Sequence, residues 1–248
     1  MKLDDVKKLH QKKYRNQFGY FLVEGEHLVL ELFKAVKNPA YRRATRIYVT
    51  EEYQQWADSQ ASQWPVSLVS KKQMAQLSDT KTPQGILACV PLSATDAANL
   101  KADKQEKCIY LHEIQDPGNL GTIMRTLAWF GHFRLLLSPN CVDPYNAKVV
   151  RASMGAIFHL PLEHEVTIHS LAARFNSFAY LDLNGSSITR PDFADYSCYL
   201  FGNEARGVPQ DTLSAFNATA FTIAGSGNID SLNVASALSM CAYQLSVR

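Results

Sequence analysis

The stretch IAGSGNIDSLNVAS, at residues 223–236, decides the fold class of the second half of the chain. It follows an apolar run over 218–223, passes through a glycine-rich loop, and enters a segment whose apolar residues share one helical face. A strand, a loop that exposes its backbone and a helix N-terminus with unpaired N–H groups can together hold a ligand. An ordinary connection between a strand and a capped helix has the same pattern. The stretch therefore gains meaning only if other loops resemble it.

Two further loops of this kind lie upstream. In QDPGNLGTIMRTLAWFG, at 115–131, Asn119 is the predicted N-cap of a helix, and Arg125 lies off the buried stripe and near the helix N-terminus. An arginine in that position suits an anionic partner such as phosphate, although a surface arginine on an amphipathic helix fits equally well. In LFGNEARGVP, at 200–209, a strand ends at Gly202 and Glu204 lies at the loop tip.

Around these loops, short apolar runs alternate with helical patterns, as expected for parallel strands that are buried on both faces. Loops at the carboxyl ends of such strands are where ligands bind in open α/β sheets. A polar, alanine-rich stretch separates this region from a smaller α/β pattern at the N-terminus, and we expect it to be a linker. The predicted strands lie at 18–24, 46–50, 66–69, 85–90, 108–113, 133–138, 157–162, 178–183, 197–202 and 218–223. The predicted domains are 1–92 and 107–248, joined by a linker over 93–106.

Charge is unevenly distributed along the chain. Residues 1–46 hold eleven Lys and Arg against five Asp and Glu, although the whole chain of 248 residues has a net charge of only +2. A basic N-terminal region suits a polyanion, while a merely solvated basic helix over 1–16 is the plain alternative.

Several protein classes are disfavoured by composition. The five cysteines are far apart and form no CxxC pair, which indicates reduced thiols in a cytoplasmic protein. No apolar run approaches the roughly 18 residues of a membrane helix, so we expect a soluble protein. His159, His164 and His169 recur at five-residue spacing, but no HExxH motif or cysteine partner accompanies them, and we predict no metal site.

Five segments carry a resemblance to a known family. NLGTIMR at 119–125, GNEARG at 202–207 and SLNVASA at 231–237 resemble motifs 1, 2 and 3 of the SpoU/TrmH family, the S-adenosylmethionine-dependent RNA ribose 2′-O-methyltransferases of the SPOUT superfamily. The segment at 143–161 also resembles that family, and YFLVEGEHLV at 20–29 resembles its L30e-like substrate-binding domain. Many members have Pro-Met after the isoleucine of motif 3, where this chain has Ala224-Gly225.

The resemblance implies a fold, a cofactor and a set of site residues. The implied fold is α/β, with a C-terminal SPOUT domain that ties a deep trefoil knot in a mostly parallel sheet, preceded by a small L30e-like α/β domain. The implied cofactor is S-adenosylmethionine, and the implied assembly is a homodimer. For cofactor binding we predict Gly202, Ile223, Leu232, Gly207 and Gly227, and for catalysis Arg125, Asn119, Glu204, Ser231 and Asn233.

The resemblance also implies an RNA partner. The basic N-terminal region would contact structured RNA through Lys7, Lys8, Lys12, Lys13 and Arg15. Ribosomal RNA is favoured because the L30e-like module resembles the ribosomal-RNA members. A tRNA ribose methyltransferase and a non-catalytic RNA-binding protein with a degenerate knot domain remain alternatives. A dinucleotide-binding dehydrogenase is disfavoured, because the GxG at 225–227 follows the last strand, not the first.

Overall fold

The computed structural model describes residues 1–95 and 106–247. Most of the predicted linker, 96–105, lies outside the described residues. Over 1–95 the elements are α1 (Leu3–Lys8), α2 (Lys12–Phe18), β1 (Tyr20–Glu24), α3 (Glu26–Ala35), α4 (Pro39–Ala44), β2 (Arg46–Val49), α5 (Gln54–Gln60), β3 (Val66–Leu68), α6 (Lys71–Leu77) and β4 (Ile86–Pro91). Over 106–247 they are β5 (Lys107–Leu111), α7 (Pro117–Phe130), β6 (Phe133–Leu137), α8 (Ala147–Ala152), β7 (Leu162–Glu163), α9 (Ile168–Arg174), β8 (Phe178–Ser187), β9 (Cys198–Phe201), α10 (Gln210–Leu213), β10 (Ala218–Thr222) and α11 (Val234–Ser246).

The chain forms two compact units, and the division is not a single cut in the sequence. The first unit contains Met1–Asn99 together with Asp143–His159, and the second contains Leu100–Val142 and Leu160–Arg248. The segment Asp143–His159, which the sequence places between motifs 1 and 2, thus packs with the N-terminal residues.

The first unit is built on a four-stranded sheet in the order β1-β4-β2-β3. Strand β4 pairs antiparallel with β1 and β2, and β2 pairs parallel with β3. The predicted single helix over 1–16 is two helices, because residues 9–11 form a turn between α1 and α2. Helix α4 was not predicted, although Asn38 caps it and Pro39 starts it, a combination typical of a helix N-terminus.

The predicted strand over 157–162 is wrong. Its first part lies in a 3-10 turn, Ala156–Phe158, and only Leu162–Glu163 pairs with β6. The apolar side chains there serve another purpose, since Ile157 and Phe158 are buried and the Phe158 ring lies 6.4 Å from that of Phe21 in the first unit. A short apolar run does not distinguish a strand from a packed turn.

The second unit confirms the predicted α/β class with a parallel sheet. Its six strands all pair parallel, in the order β10-β8-β9-β5-β6-β7. The pairing of β10 with β8 jumps from Ala220↔Tyr180 to Phe221↔Ser186, so residues 181–185 leave the ladder. A Cβ on Gly185 would lie 2.5 Å from the Phe221 backbone, and only glycine allows this close approach.

Helices α7 and α11 pack against each other in this unit, and the hydroxyl groups of Thr126 and Ser239 lie 3.1 Å apart. None of the described helices combines the length and hydrophobicity needed to cross a membrane.

Candidate active site

The three motif loops meet at the carboxyl ends of the parallel strands. Asn119 at the start of α7 donates from Nδ2 to Oε1 of Glu204, 3.2 Å away. Asn233 donates from its own Nδ2 to Oδ1 of Asn119, at 2.9 Å. The Asn119 side chain therefore joins all three loops, although Glu204 lies 85 residues and Asn233 114 residues further along the sequence.

Asn119 is free to make these bonds because it is not the helix cap. The prediction that it caps the helix is wrong: Asp116 is the N-cap of α7, and its Oδ1 accepts from the backbone N–H of Asn119 at 2.7 Å. Pro117 then takes the first helical position, where a missing N–H costs nothing. The capping bond fixes the backbone of Asn119 and leaves its side chain for the neighbouring loops.

Asn233 both caps a helix and links two of the loops. Its Oδ1 accepts from the backbone N–H groups of Ala235 and Ser236, at 2.9 and 3.3 Å, which caps α11. Its amide group faces Asn119. Since the cap uses the oxygen and the link uses the nitrogen, an aspartate here would keep the first and lose the second.

The loop after β9, residues 202–207, is closed by its own backbone. Asn203 and Gly207 exchange two N–H···O bonds of 2.9 Å each. A Cβ on Gly202 would lie 2.3 Å from the carbonyl carbon of Gly207, so no side chain fits there, and Gly207 has a left-handed φ of +66°. The buried Asn203 side chain accepts from the N–H groups of Ala205 and Arg206, at 3.0 and 3.1 Å.

Small-molecule sites in proteins have volumes of about 300–1,000 Å³. A cavity of ≈ 570 Å³ opens between the motif 2 and motif 3 loops. The predicted cofactor residues Gly202, Ile223, Leu232 and Gly207 line it, as do the predicted catalytic residues Glu204, Ser231 and Asn233. Gly227 is exposed, with φ +78°, and is not part of this lining.

Sequence reasoning missed one wall of the cavity. Residues Leu181, Asp182 and Leu183 line it because they belong to the excursion from the β8 ladder. The sequence shows an apolar run that was predicted as an ordinary strand. Gly185 is the signal that could have marked the excursion, since a glycine inside a strand pattern indicates a bulge or a close backbone approach.

Arg125 lies on the exposed side of α7 and takes no part in the hydrogen bonds that join Glu204, Asn119 and Asn233. Its guanidinium has no hydrogen bond or ion pair with any of the residues that the structure describes. An unpaired, solvated guanidinium is available for an anion that arrives from solution.

Burial shifts the pKa of several titratable groups in the second unit. Burial lowers the pKa of His112, which keeps its ring neutral at the end of β5. Burial raises the pKa of the Cys108 thiol to about 11 and that of Cys241 to about 12. Within residues 1–95 and 106–247, no three His, Cys, Asp or Glu side chains are placed to hold a metal ion.

Among the predicted RNA contacts in the first unit, Arg15 requires a correction. It is 3% exposed, and its guanidinium donates to Asp143 and to the carbonyl oxygens of Leu9 and His10. It is thus occupied inside the unit and closed to RNA. The predicted contacts that are exposed on α1 and α2 are Lys7, Lys8, Lys12 and Lys13.

Comparison with known proteins gives a consistent result. Residues 106–243 match the SpoU rRNA Methylase family, and residues 2–88 match the MRM3-like substrate binding domain. The 23S rRNA (guanosine(2553)-2'-O)-methyltransferase RlmP of Bacillus subtilis (strain 168) is 29% identical over 98% of this chain and 95% of its own length. An uncharacterized tRNA/rRNA methyltransferase of Synechocystis is 30% identical over 96% of this chain and 88% of its own length.

Solved structures agree with this result. A putative RNA methyltransferase of the TrmH family from Porphyromonas gingivalis is 27% identical with a TM-score of 0.78, covering 98% of this chain and 96% of its own. An AdoMet-bound rRNA methyltransferase from Sinorhizobium meliloti shares the fold, with a TM-score of 0.80 and 24% identity over 98% of this chain and 93% of its own. The chain therefore belongs to the SpoU rRNA methylase family.

Proposed function

We propose that this protein transfers the methyl group of S-adenosylmethionine to a ribose 2′-hydroxyl of ribosomal RNA. The observation that carries the proposal is the meeting of the three motif loops through Asn119, beside a cavity whose wall at Gly202 has no room for a Cβ. The relatives that match nearly the whole chain are described as methyltransferases of RNA.

The cavity suits this cofactor in shape and in charge. Ile223, Leu232 and Val208 supply apolar contact, and Gly202 and Gly207 leave the backbone accessible. Two carboxylates, those of Asp182 and Glu204, lie in its lining against one guanidinium, that of Arg206, and this balance favours a cationic ligand. S-adenosylmethionine, when bound, supplies a methyl group activated by its positively charged sulfonium.

The chain must also position the attacking hydroxyl and stabilise it as its proton leaves. An arginine is a poor base, because its guanidinium stays protonated in proteins. The unpaired guanidinium of Arg125 is better suited to clamp an RNA phosphate with two N–H groups and to stabilise the developing alkoxide. Asn119, held by both neighbouring loops, and Ser231 would orient the ribose beside it.

The first unit would supply RNA contacts. Its match to the MRM3-like substrate binding domain and the rRNA substrate in the name of the Bacillus relative favour ribosomal RNA over tRNA. The exposed lysines of α1 and α2 would neutralise phosphates, so that affinity for RNA falls as salt rises. Replacing Lys12 and Lys13 by alanine should reduce the slope of log affinity against log salt by about 1–2.

A homodimer is supported by an apolar face on α7 and α11. On α7, Trp129 is 84% exposed. On and just after α11, three more large apolar residues are exposed at the i, i+3 and i+7 spacing of one helical face: Met240, Tyr243 and Val247. Such a face is typical of a protein interface. We expect Trp129→Asp to convert a dimer to a monomer in analytical ultracentrifugation; a wild type that sediments as a monomer at micromolar concentration would contradict this.

The trefoil knot, the L30e-like identity of the first unit and a cytoplasmic location complete the proposal. The excursion over 181–185 and the long loop over 223–233 are the segments through which a knot would form. All five cysteines are free, as in proteins of a reducing compartment.

The deciding experiment is calorimetric titration of S-adenosylmethionine into wild type and a matched pair of glycine variants. Gly202→Ala places a Cβ 2.3 Å from backbone, whereas Gly225→Ala places one in open space. We expect binding to wild type and Gly225→Ala and a loss of at least tenfold in Gly202→Ala, with unchanged circular dichroism. Absence of binding at millimolar cofactor would support the non-catalytic RNA-binding alternative. Transfer of labelled methyl to rRNA fragments, compared with tRNA, then tests the substrate.

A further inference from the structure

We infer that Glu113, which lies outside the three motifs, is a positioning residue that tethers the loop over 203–207 and neutralises Arg206 at the cofactor cavity. The tether stands on the structure of the second unit alone. The consequence for cofactor binding rests on the proposed function.

The backbone of Glu113 is held in a conformation that its side chain does not favour. Its φ is +52°, in the left-handed region, where a residue with a Cβ pays a steric penalty and glycine does not. Two bonds hold it there: its N–H donates to Ser138 Oγ at 2.8 Å, and its carbonyl accepts from Asn203 Nδ2 at 2.7 Å. Strain of this kind persists where the surroundings over-determine the residue.

The side chain provides a reason for a glutamate at this position. One carboxylate oxygen of Glu113 pairs with Arg206, and the other accepts from Asn140 Nδ2 at 3.2 Å. The Glu113 side chain is 23% exposed and the Arg206 side chain 66% exposed, so the glutamate is the more buried partner of the pair.

The tether reaches the catalytic loop by two routes. Asn203 connects the Glu113 carbonyl to the backbone of Ala205 and Arg206, and the ion pair holds the Arg206 side chain. Glu204 lies between these anchored positions and bonds to Asn119. The orientation of Glu204 toward Asn119 thus depends on a residue at the end of another strand.

The ion pair also affects the charge of the cavity. Arg206 lines the cavity, whereas Glu113 lies behind it. S-adenosylmethionine has one more positive charge than its demethylated product, so an arginine without its carboxylate partner would repel the methyl donor more than the product. Two like charges about 10 Å apart change affinity about twofold at the dielectric constant of water and about 16-fold at an effective value of about 20, so an effect of about fivefold is expected at a partly exposed site.

Two variants separate the backbone strain at position 113 from the charge of the carboxylate. Glu113→Gly removes the ion pair and the steric penalty but keeps the backbone bond to Asn203, and Glu113→Gln keeps the shape and removes the charge. The matched control is Glu165→Gln, since Glu165 is a second glutamate with a left-handed φ, of +59°, beyond β7 at the far edge of the same sheet.

The first measurement is hydrogen exchange of the amides over 203–207 without cofactor. We expect exchange at least fivefold faster in both Glu113 variants and unchanged exchange in the control. The melting temperature of Glu113→Gly should equal or exceed that of wild type, which a merely structural pair would not produce. Wild-type exchange in both variants would show that the Glu113 carboxylate does not tether the loop and would overturn the inference, whether or not the protein binds the cofactor.

The second measurement is calorimetric affinity for S-adenosylmethionine and for its demethylated product. In Glu113→Gln the affinity for the methyl donor should fall about fivefold more than that for the product. An equal loss of affinity for both ligands would refute the neutralising role. The hydrogen-exchange result alone would then decide whether Glu113 tethers the loop. A wild type that binds neither ligand would contradict the proposed function, and the exchange result would still decide the tether.

Discussion

Replacement of Asp143 should destabilise the first unit far more than the position of this residue in the sequence suggests. Arg15 is 3% exposed and the Asp143 side chain 11% exposed, so the pair is almost fully withdrawn from water. Arg15 Nε donates to Asp143 Oδ2 at 3.0 Å, and Nη1 donates to the carbonyls of Leu9 and His10 at 2.8 and 2.9 Å. Asp143→Ala leaves those two bonds to carbonyl groups. It removes the carboxylate, which is the only one that pairs with the Arg15 guanidinium within the described residues.

The magnitude follows from the uncompensated charge. Removing one partner of a buried ion pair costs about 3–5 kcal/mol, because the remaining charge stays desolvated. For a chain of this size that corresponds to a fall in melting temperature of about 10 °C. Asp143→Asn keeps an acceptor for the backbone N–H of Tyr145 and should lose about half as much. Replacing both partners by apolar residues should recover stability.

The assay is urea unfolding followed by tryptophan fluorescence in a Trp129→Phe background. The two tryptophans that remain, Trp56 and Trp64, both belong to the first unit. The control is Glu52→Ala, which breaks the exposed pair with Lys71 and should give no measurable change. An Asp143→Ala midpoint that coincides with that of Glu52→Ala would refute the inference that the buried pair carries this energy.

Three further outcomes are expected. Arg125→Ala should lower methyl transfer by about 100- to 1,000-fold while cofactor affinity stays within twofold, because the guanidinium lies outside the cavity lining; near-wild-type turnover would exclude the proposed role. Asn233→Asp should keep the cap of α11 but weaken the link to Asn119, so that turnover falls and the melting temperature does not. Burial raises the pKa of the Cys89 thiol to about 12. Its contribution to the free energy of unfolding is fully present below pH about 8.5 and should decline by about 1.4 kcal/mol per pH unit above about pH 9, because the unfolded chain then loses the proton that the folded chain keeps. Cys89→Ala should flatten this decline, measured by urea unfolding at pH 7 and pH 10.

The sequence alone determined the elements that depend on local pattern. Short apolar runs bounded by turns predict the parallel strands of the second unit, and the glycines at 202 and 207 mark the loop that closes on itself. Because parallel strands end at one edge of a sheet, the meeting of the three loops was also predictable. The positions of these strands and loops can be predicted because they depend on the polarity and spacing of residues within about 15 positions of one another.

The tertiary structure alone decided which polar groups are buried and paired. Arg15 resembles its lysine neighbours in the sequence, yet its partner lies 128 residues away. Glu113 follows a strand like many exposed glutamates, yet its partner Arg206 is 93 residues away. The apolar segment around Phe158 reads as a strand, yet it fills the core of the first unit. Local patterns report which surface of an element avoids water, whereas the partner of a buried charge is fixed only when distant segments pack.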